Sequence, residues 1–356
     1  MRNFCLLTTI LLILPLIVSS SSVEAQLNTE GHSSDRYGEN DYIGISRRGR
    51  SMKLYGGNTA DSSYSYDVWS MPGGSTTRIV GGQQAPSGRY PYFVHLEIIT
   101  NAGRFQCGGT LIYEDIVVTA AHCLVDRSNE GQTITGIEAW VGLEDITRKD
   151  LAIFRTALNA VPNTGYDGFL NNDDIMVLKL NAPVTTVTPV LLNFAPEAPA
   201  VGTPVKIFGM GSLQEGGQFS NTLQDATVGV IDFNTCNSPN SYNGTIVDAV
   251  MICAGVATGS PDSCLGDSGS ALIVETIPGN PAGDVQVGIT SFGNGCARPG
   301  FPGGYTRISA YQQFLVSNVC ALANSPPDGC TVTPIPTVPP PTPFPVVQPT
   351  PFPVVQ

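Results

Sequence analysis

The chain has few histidines, no pattern of zinc ligands and little positive charge. Only three of its 356 residues are histidine, and they do not combine with the cysteines at a spacing that a zinc site requires. Residues 79–356 hold 10 Lys and Arg against 22 Asp and Glu. A protein this acidic repels nucleic acid and favours cationic partners. We therefore expect no metal, no cofactor and no nucleic-acid partner.

The chain also lacks an apolar run long enough to cross a membrane. The run over residues 6–18 follows Arg2 and is too short to span a bilayer. Val23-Glu24-Ala25 fits a small-residue cleavage site, so residues 1–25 are predicted to be a secretory signal peptide rather than a single-pass anchor. We expect an exported, extracellular protein.

Residues 26–78 are rich in Ser, Gly, Tyr and Asn and show little apolar periodicity. A stretch of this composition cannot bury enough surface to fold alone. It carries the basic cluster Arg47-Arg48-Gly49-Arg50 and ends at Arg78. Two interpretations fit these features, a solvated linker and a propeptide with basic processing sites.

Residues 79–330 consist of short alternating or apolar runs separated by Gly, Pro and Asn. Many short strands at such spacing predict an all-β barrel or sandwich. The candidate strands are residues 92–99, 116–119, 175–180, 205–208, 228–231, 271–274 and 285–290. One helix is predicted over residues 309–319, with Tyr311, Phe314 and Leu315 on one face.

Three short motifs within this region indicate nucleophilic chemistry. Gly266 and Gly269 bracket Asp267 and Ser268, so the backbone can turn tightly and present the serine. A serine hydroxyl is a weak nucleophile unless a neighbouring base takes its proton. His122, in Thr-Ala-Ala-His-Cys, is the candidate base. A carboxylate directly before the apolar run 175–180 could orient that imidazole.

The order of these motifs, together with Arg78-Ile79-Val80-Gly81-Gly82, resembles the trypsin-like members of the trypsin/chymotrypsin family of serine proteases. The resemblance covers about residues 79–319. It implies an all-β fold of two six-stranded antiparallel β-barrels with a C-terminal helix, and an active site in the cleft between them. Two departures are Ser270-Ala271, where the family usually has Gly-Pro, and Gly209-Met210-Gly211, where it usually has Gly-Trp-Gly.

The resemblance assigns a role to each motif. Ser268 would attack the scissile carbonyl, His122 would take and return the proton, and Asp174 would fix the imidazole tautomer. The backbone N–H groups of Gly266 and Ser268 would hold the oxyanion. Asp173 is the competing carboxylate, but only Asp174 directly precedes the apolar run.

The resemblance also implies a pocket for a cationic side chain. Asp262 stands six residues before the nucleophile, where trypsin-like members place an acid at the pocket floor. Gly293 and Gly303 match the two glycines that leave the pocket walls open. Ser291 begins the segment that would run antiparallel to the bound peptide, and Phe292 replaces the usual Trp. We expect cleavage after Arg or Lys.

For residues 26–78 the resemblance favours the propeptide. Cleavage after Arg78 would free the α-amino group of Ile79. That group would turn inward and pair with Asp267, the residue beside the nucleophile, to shape the oxyanion hole and the pocket. The protein would then be a zymogen.

The cysteines fit an exported chain. Cys5 leaves with the signal peptide, and eight cysteines remain, an even number. The resemblance implies three of the pairs, and the two cysteines left over are expected to form a fourth. The expected pairs are Cys107–Cys123, Cys236–Cys253, Cys264–Cys296 and Cys320–Cys330.

After Cys330 the chain is dominated by Thr, Pro and Val, and its last eight residues repeat the eight before them. Proline at this density favours an extended polyproline II tail over residues 331–356, serving as a passive spacer or as a docking tail. One glycosylation acceptor is present, Asn243, in Asn-Gly-Thr. Residues 144–150 lack the carboxylate spacing of the family's calcium loop.

Together these features predict a secreted, monomeric, trypsin-like serine endopeptidase. Its partners would be protein substrates with Arg or Lys at the cut and proteinaceous inhibitors. A second hypothesis is a catalytically silent relative that binds proteins or glycans and uses the tail as an anchor.

Overall fold

The computed structural model describes residues 42–43, 79–197 and 199–330. The predicted signal peptide and Pro-rich tail lie outside the described residues, and so do all but two residues of the predicted propeptide.

The described chain is mainly β-strand. Its strands are β1 Tyr42–Ile43, β2 Gln83–Gln84, β3 Phe93–Thr100, β4 Gly103–Tyr113, β5 Ile116–Thr119, β6 Ile134–Val141, β7 Ile153–Pro162, β8 Met176–Leu180, β9 Leu191–Asn193, β10 Pro204–Gly209, β11 Gln224–Ile231, β12 Met251–Gly255, β13 Ala271–Glu275, β14 Asp284–Phe292 and β15 Gly303–Arg307. Its helices are α1 His122–Asn129, α2 Phe233–Cys236 and α3 Gln312–Leu322, with 3₁₀-helices at Ile146–Leu151, Pro281–Gly283 and Ile308–Tyr311. Among the described residues, no helix has both the length and the apolar character needed to cross a membrane.

Six strands close into barrel 1 in the order β3-β4-β5-β8-β7-β6, and all neighbours are antiparallel. β5 and β8 are buried along their whole length, as continuous apolar runs predict. The charge of Lys179 on β8 is tolerated because its ammonium pairs with the buried carboxylate of Asp115. Closure leaves the barrel without an unpaired strand edge.

Barrel 2 contains β10-β11-β12-β15-β14-β13 and closes through the pairing of β13 with β10. Its interior is filled by apolar side chains that include Val205, Ile207, Val228 and Tyr305. On the outside, β9 pairs in parallel with β14 and in antiparallel with β1, while β2 pairs with β11.

The predicted fold is confirmed: the chain forms two six-stranded antiparallel β-barrels with a C-terminal helix. The predicted strand over residues 116–119 has the observed bounds. The predicted helix over residues 309–319 begins later, at Gln312, because Ile308–Tyr311 first form a 3₁₀-helix, and it continues to Leu322.

A buried polar network holds barrel 1 against barrel 2. The guanidinium of Arg89 enters barrel 2, where it pairs with the buried carboxylate of Asp284 and with Glu275 at 2.6 Å. Tyr92 donates its hydroxyl to Asp284, and Tyr90 donates to Asp225 at 2.8 Å. Removing one partner of a buried pair leaves the other charge uncompensated, which typically costs about 3–5 kcal/mol. The network therefore fixes how the barrels dock.

Every lysine and arginine of the described chain has a partner. Nine of these ten side chains pair with a carboxylate: Arg89, Arg104, Arg127, Arg148, Lys149, Lys179, Lys206, Arg298 and Arg307. The tenth, Arg155, donates to the backbone carbonyls of Phe154, Ala182 and Pro183. The surplus of acid therefore leaves carboxylates, and not cations, without an opposite charge.

Four disulfides join the cysteines of the described chain, and they are the four pairs expected from the sequence: Cys107–Cys123, Cys236–Cys253, Cys264–Cys296 and Cys320–Cys330. The last of them ties α3 to the end of the described chain.

Removing the Cys320–Cys330 bond should destabilise the protein. The two cysteines are 10 residues apart, and restricting the unfolded chain by such a loop is worth about 3 kcal/mol. We expect the double change Cys320→Ser/Cys330→Ser to lower the thermal midpoint by about 6–12 °C in scanning calorimetry. A thermal midpoint equal to that of the wild type would contradict this stabilising role.

Candidate active site

The pairing of β5 with β8 brings His122 to Asp174. Thr119, the last residue of β5, lies opposite Met176, the first residue of β8. His122 is the first residue of α1, three residues after β5 ends, and Asp174 lies just before β8. Asp174 Oδ2 accepts from His122 Nδ1 at 2.7 Å, and Oδ1 accepts from the His122 backbone N–H at 2.8 Å. The imidazole is therefore held in one orientation.

Asp174 is fully buried, and barrel 2 completes its hydrogen bonding. Ser291 on β14 donates its hydroxyl to Oδ2, and Thr306 on β15 donates to the Asp174 carbonyl at 2.8 Å. The neighbouring Asp173 is engaged elsewhere, since its carboxylate accepts from Tyr311 at 2.7 Å. Of the two candidate carboxylates, only Asp174 contacts the imidazole.

The buried carboxylate changes the acidity of the imidazole. Burial acts to lower the pKa of His122, but the charge of Asp174 and its hydrogen bond outweigh burial and raise the pKa above its ordinary 6.5. A raised pKa means that the imidazolium is stabilised, as a base that accepts a proton during a reaction requires.

Ser268 lies in a turn, residues 265–269, that is held between the two barrels and is called the serine turn below. Its carbonyl accepts from the N–H of Gly108 on β4 at 2.7 Å, and the N–H of Gly269 donates to Thr290 on β14 at 2.8 Å. Gly269 has φ +84°, and a Cβ at this position would overlap Oγ1 of Thr119. Glycine is therefore required for the turn to approach the end of β5.

The Cys107–Cys123 disulfide joins β4 to α1 and lies between His122 and Ser268. Cys123 Sγ lies 4.0 Å from His122 Nε2 and 3.9 Å from the carbonyl oxygen of Ser268. The serine turn and the imidazole thus contact the same sulfur. Because both sulfurs of this cluster are bonded to each other, neither is a thiolate that could bind a metal ion.

The peptide between Leu265 and Gly266 is oriented toward the serine turn. The Leu265 carbonyl accepts from the N–H of Ser212 at 2.8 Å. In a planar trans peptide the C=O and N–H groups point in opposite directions, so the Gly266 N–H points away from Ser212. Among the described residues, neither this N–H nor that of Ser268 has a hydrogen-bond acceptor. Two free donors on one turn can bind an oxygen that carries negative charge.

A cavity of about 250 Å³ opens beside Ser268, and Asp262 lies in its wall. The side chain of Asp262 is 5% exposed; its Oδ2 accepts from the Ala297 N–H at 2.7 Å. Its Oδ1 has no partner among the described residues. Burial raises the pKa of Asp262 to about 7. A buried carboxylate that has no cationic partner and has one unsatisfied oxygen is suited to bind a cation.

The other predicted pocket residues line the same cavity: Ser291, Phe292, Gly293 and Gly303. A larger cavity of about 510 Å³ lies around Arg307 in barrel 2. It shares no lining residue with the first and includes no residue predicted for catalysis, substrate binding or activation. The predicted nucleophile and the predicted pocket residues therefore line the smaller cavity.

Asp267, the residue before Ser268 in the serine turn, is buried and has no lysine or arginine as a partner among the described residues. Its Oδ1 accepts from the Gly211 N–H at 2.7 Å and its Oδ2 from the Cys264 N–H at 2.9 Å. Burial raises the pKa of Asp267 to about 6. No lysine or arginine of the described chain pairs with it. Ile79 is buried in the core of barrel 2, and Val80 pairs with Asp262 in an isolated bridge.

Two further contacts of the site were not predicted from the sequence. Thr306 and Gln106 each reach a site segment more than 100 residues away in the chain. No local motif marks such contacts, although Thr306 lies close to Gly303, which was predicted. Asn243, the predicted glycosylation acceptor, is exposed in a turn.

Comparison with known proteins supports a single family. The trypsin family model matches residues 79–315. The chain is 36% identical to a trypsin of Saccharopolyspora erythraea over 244 residues, 68% of this chain and 99% of that protein. It is 34% identical to Trypsin-2 of Salmo salar over 245 residues, 68% of this chain and 95% of that protein.

A longer relative matches over part of its length. The chain is 34% identical to human Serine protease 56 over 254 residues, 70% of this chain but 40% of that protein. The similarity therefore concerns the two-barrel domain, and this chain spans less than half of that relative.

The His122 imidazole should titrate above pH 6.5 because Asp174 stabilises its charged form. The change Asp174→Asn removes the negative charge and leaves burial as the main influence, so the pKa should fall below 6.5. NMR titration of the ring protons of His122 measures both values. An equal pKa in the two proteins would show that Asp174 does not stabilise the imidazolium.

Proposed function

Because this chain belongs to the trypsin family of serine proteases, we propose that it is a secreted endopeptidase, made as a zymogen, that cuts peptide bonds after Arg and Lys. The observation that carries the proposal is a histidine–aspartate pair beside a serine turn, next to a cavity that holds an unpaired carboxylate.

The contacts of the site support a mechanism through an acyl-enzyme. Ser268 attacks the scissile carbonyl while His122 takes its proton, and Asp174 holds the ring and stabilises the imidazolium. The carbonyl oxygen becomes negatively charged and is bound by the N–H groups of Gly266 and Ser268. His122 then protonates the leaving amine, and a water molecule releases the acyl group by the same steps in reverse.

The unpaired Oδ1 of Asp262 supports the choice of substrate. A neutral side chain in the cavity would leave Oδ1 of this carboxylate desolvated and without a hydrogen-bond donor, which is costly. A guanidinium or an ammonium satisfies it, and the cation in turn lowers the pKa of Asp262 below 7. Arg can meet the carboxylate with its planar fork, whereas Lys offers a point charge.

The environment of Asp267 supports activation by cleavage. A carboxylate buried with two backbone donors and no cation is an incomplete ion pair. The α-amino group freed at Ile79 would complete it, because the segment that follows Ile79 already lies against the pocket wall at Val80. The same carboxylate binds Gly211, the residue before Ser212, so the ion pair would also stabilise the Leu265–Gly266 peptide.

Blocking the cut should give an inactive precursor. We expect the change Arg78→Gln to leave a folded protein whose kcat/KM is at least about 100-fold lower, the loss typical of one missing oxyanion donor. Treatment with trypsin followed by an assay on an Arg peptide substrate measures this. The matched control Arg78→Lys should still be activated. Full activity of the Gln variant with the 78–79 bond intact would refute the zymogen proposal.

Removing the pocket carboxylate should remove the preference for cations. Losing one partner of a desolvated charge pair costs about 2–5 kcal/mol. We therefore expect Asp262→Ser to lower kcat/KM for Arg substrates by about 30-fold to a few thousand-fold. Asp150→Ser, which removes an exposed carboxylate, is the control.

In the same experiment Ser268 should react with a small serine-directed acylating agent at the same rate in both proteins. A wild-type enzyme that prefers aromatic side chains would refute the proposed specificity. A wild type whose serine does not react at all would favour a catalytically silent relative.

A further inference from the structure

Gln106 belongs to barrel 1 but contacts the serine turn of barrel 2. It lies on β4, and its side-chain Nε2 donates to the Met210 carbonyl at 2.7 Å. The same nitrogen lies 3.5 Å from the Gly266 carbonyl and makes a longer hydrogen bond there. One half-buried amide thus joins the two backbone segments that hold the Gly266 N–H in place.

Gly266 is enclosed on two sides. A Cβ at this residue would lie 2.9 Å from the ring of Phe219 and 3.1 Å from Nε2 of Gln106. Phe219 pairs with Ser212 in an isolated bridge, and the Ser212 N–H binds the Leu265 carbonyl. The ring and the amide therefore leave the backbone at Gly266 little room to rotate.

The two peptides on either side of Gly266 are held by separate contacts. Ser212 fixes the Leu265 carbonyl, and Gln106 binds the Gly266 carbonyl. Glycine has a wide range of backbone conformations, and this one has φ +94°. Without the second contact, rotation about the bonds of Gly266 would let its N–H turn away from the oxyanion.

We propose that Gln106 is a positioning residue for the oxyanion hole: its amide binds the Met210 and Gly266 carbonyls and thereby keeps the Gly266 N–H aimed at the oxyanion. This role rests on the proposed function. Gln106 does not touch the cavity that holds Asp262, so it acts on the transition state and not on binding of the substrate side chain.

The test replaces Gln106 by Met, which has a similar length but no N–H donor. Direct loss of an oxyanion donor costs about 100-fold to 1,000-fold in kcat, and an indirect role should cost less, about 10-fold to 100-fold. KM for Arg substrates and the inhibition constant of benzamidine, a cation that fits the Asp262 cavity, should stay within about twofold. Gln313→Met, at an exposed position of α3, should leave all of these values unchanged.

A transition-state analogue separates positioning from general disruption. A peptidyl boronate forms a tetrahedral adduct with the serine, and one of its oxygens occupies the oxyanion hole. Its affinity should fall in Gln106→Met by the same factor as kcat/KM. The thermal midpoint should stay within about 2 °C, as for an ordinary surface substitution.

Three outcomes would overturn the role. An unchanged kcat in Gln106→Met, with an active wild type, removes Gln106 from the oxyanion hole and leaves the proposed function standing. An equal loss of benzamidine and boronate affinity means that the change disrupts the whole site. A correctly cut wild type that neither hydrolyses Arg substrates nor binds benzamidine refutes the proposed function, and the role of Gln106 with it.

Discussion

The buried carboxylate of Asp174 is the constraint on which the site depends. A carboxylate removed from water is tolerated only when donors satisfy it. Barrel 1 supplies two of these donors through His122, and barrel 2 supplies the hydroxyl of Ser291. Neither barrel alone can satisfy the charge. Asp174, which orients the imidazole, is fully satisfied only when the two barrels are docked. The docking of the barrels and the placement of His122 therefore depend on each other.

The network around Arg89 supports this docking through a second set of buried polar contacts. A buried ion pair adds little net stability compared with apolar residues, but a broken one is costly. Such a network selects one relative position of the barrels over others. Gln106 and Gly108 depend on that position, since both lie on β4 and bind backbone groups of the serine turn. A small shift of one barrel relative to the other would therefore move the backbone of the serine turn through these two contacts.

Much of the fold was predictable from the sequence, because continuous apolar runs such as that of β5 identify their strands directly. The candidate strands leave out five barrel strands, β4, β6, β7, β12 and β15; in β4 the Gly108-Gly109 pair and a polar N-terminal half hide the strand pattern. The site residues were recognisable because motifs keep Ser268, His122 and Asp174 in characteristic local contexts. Thr306 and Gln106 have no such context, and their contacts arise only when distant segments meet in the folded chain.

The pairing of every cation has a consequence for self-digestion. A protease with the proposed specificity for Arg and Lys could also cut other copies of its own chain. In the described domain each lysine and arginine would have to leave a carboxylate or a carbonyl before it could enter the pocket of a second molecule. Arg298, beside the pocket, is also followed by Pro299, which has a fixed φ and no backbone N–H to donate. If the enzyme has the proposed specificity, these contacts add a cost to cutting another copy of itself, and for the exposed pairs that cost is about 1 kcal/mol or less.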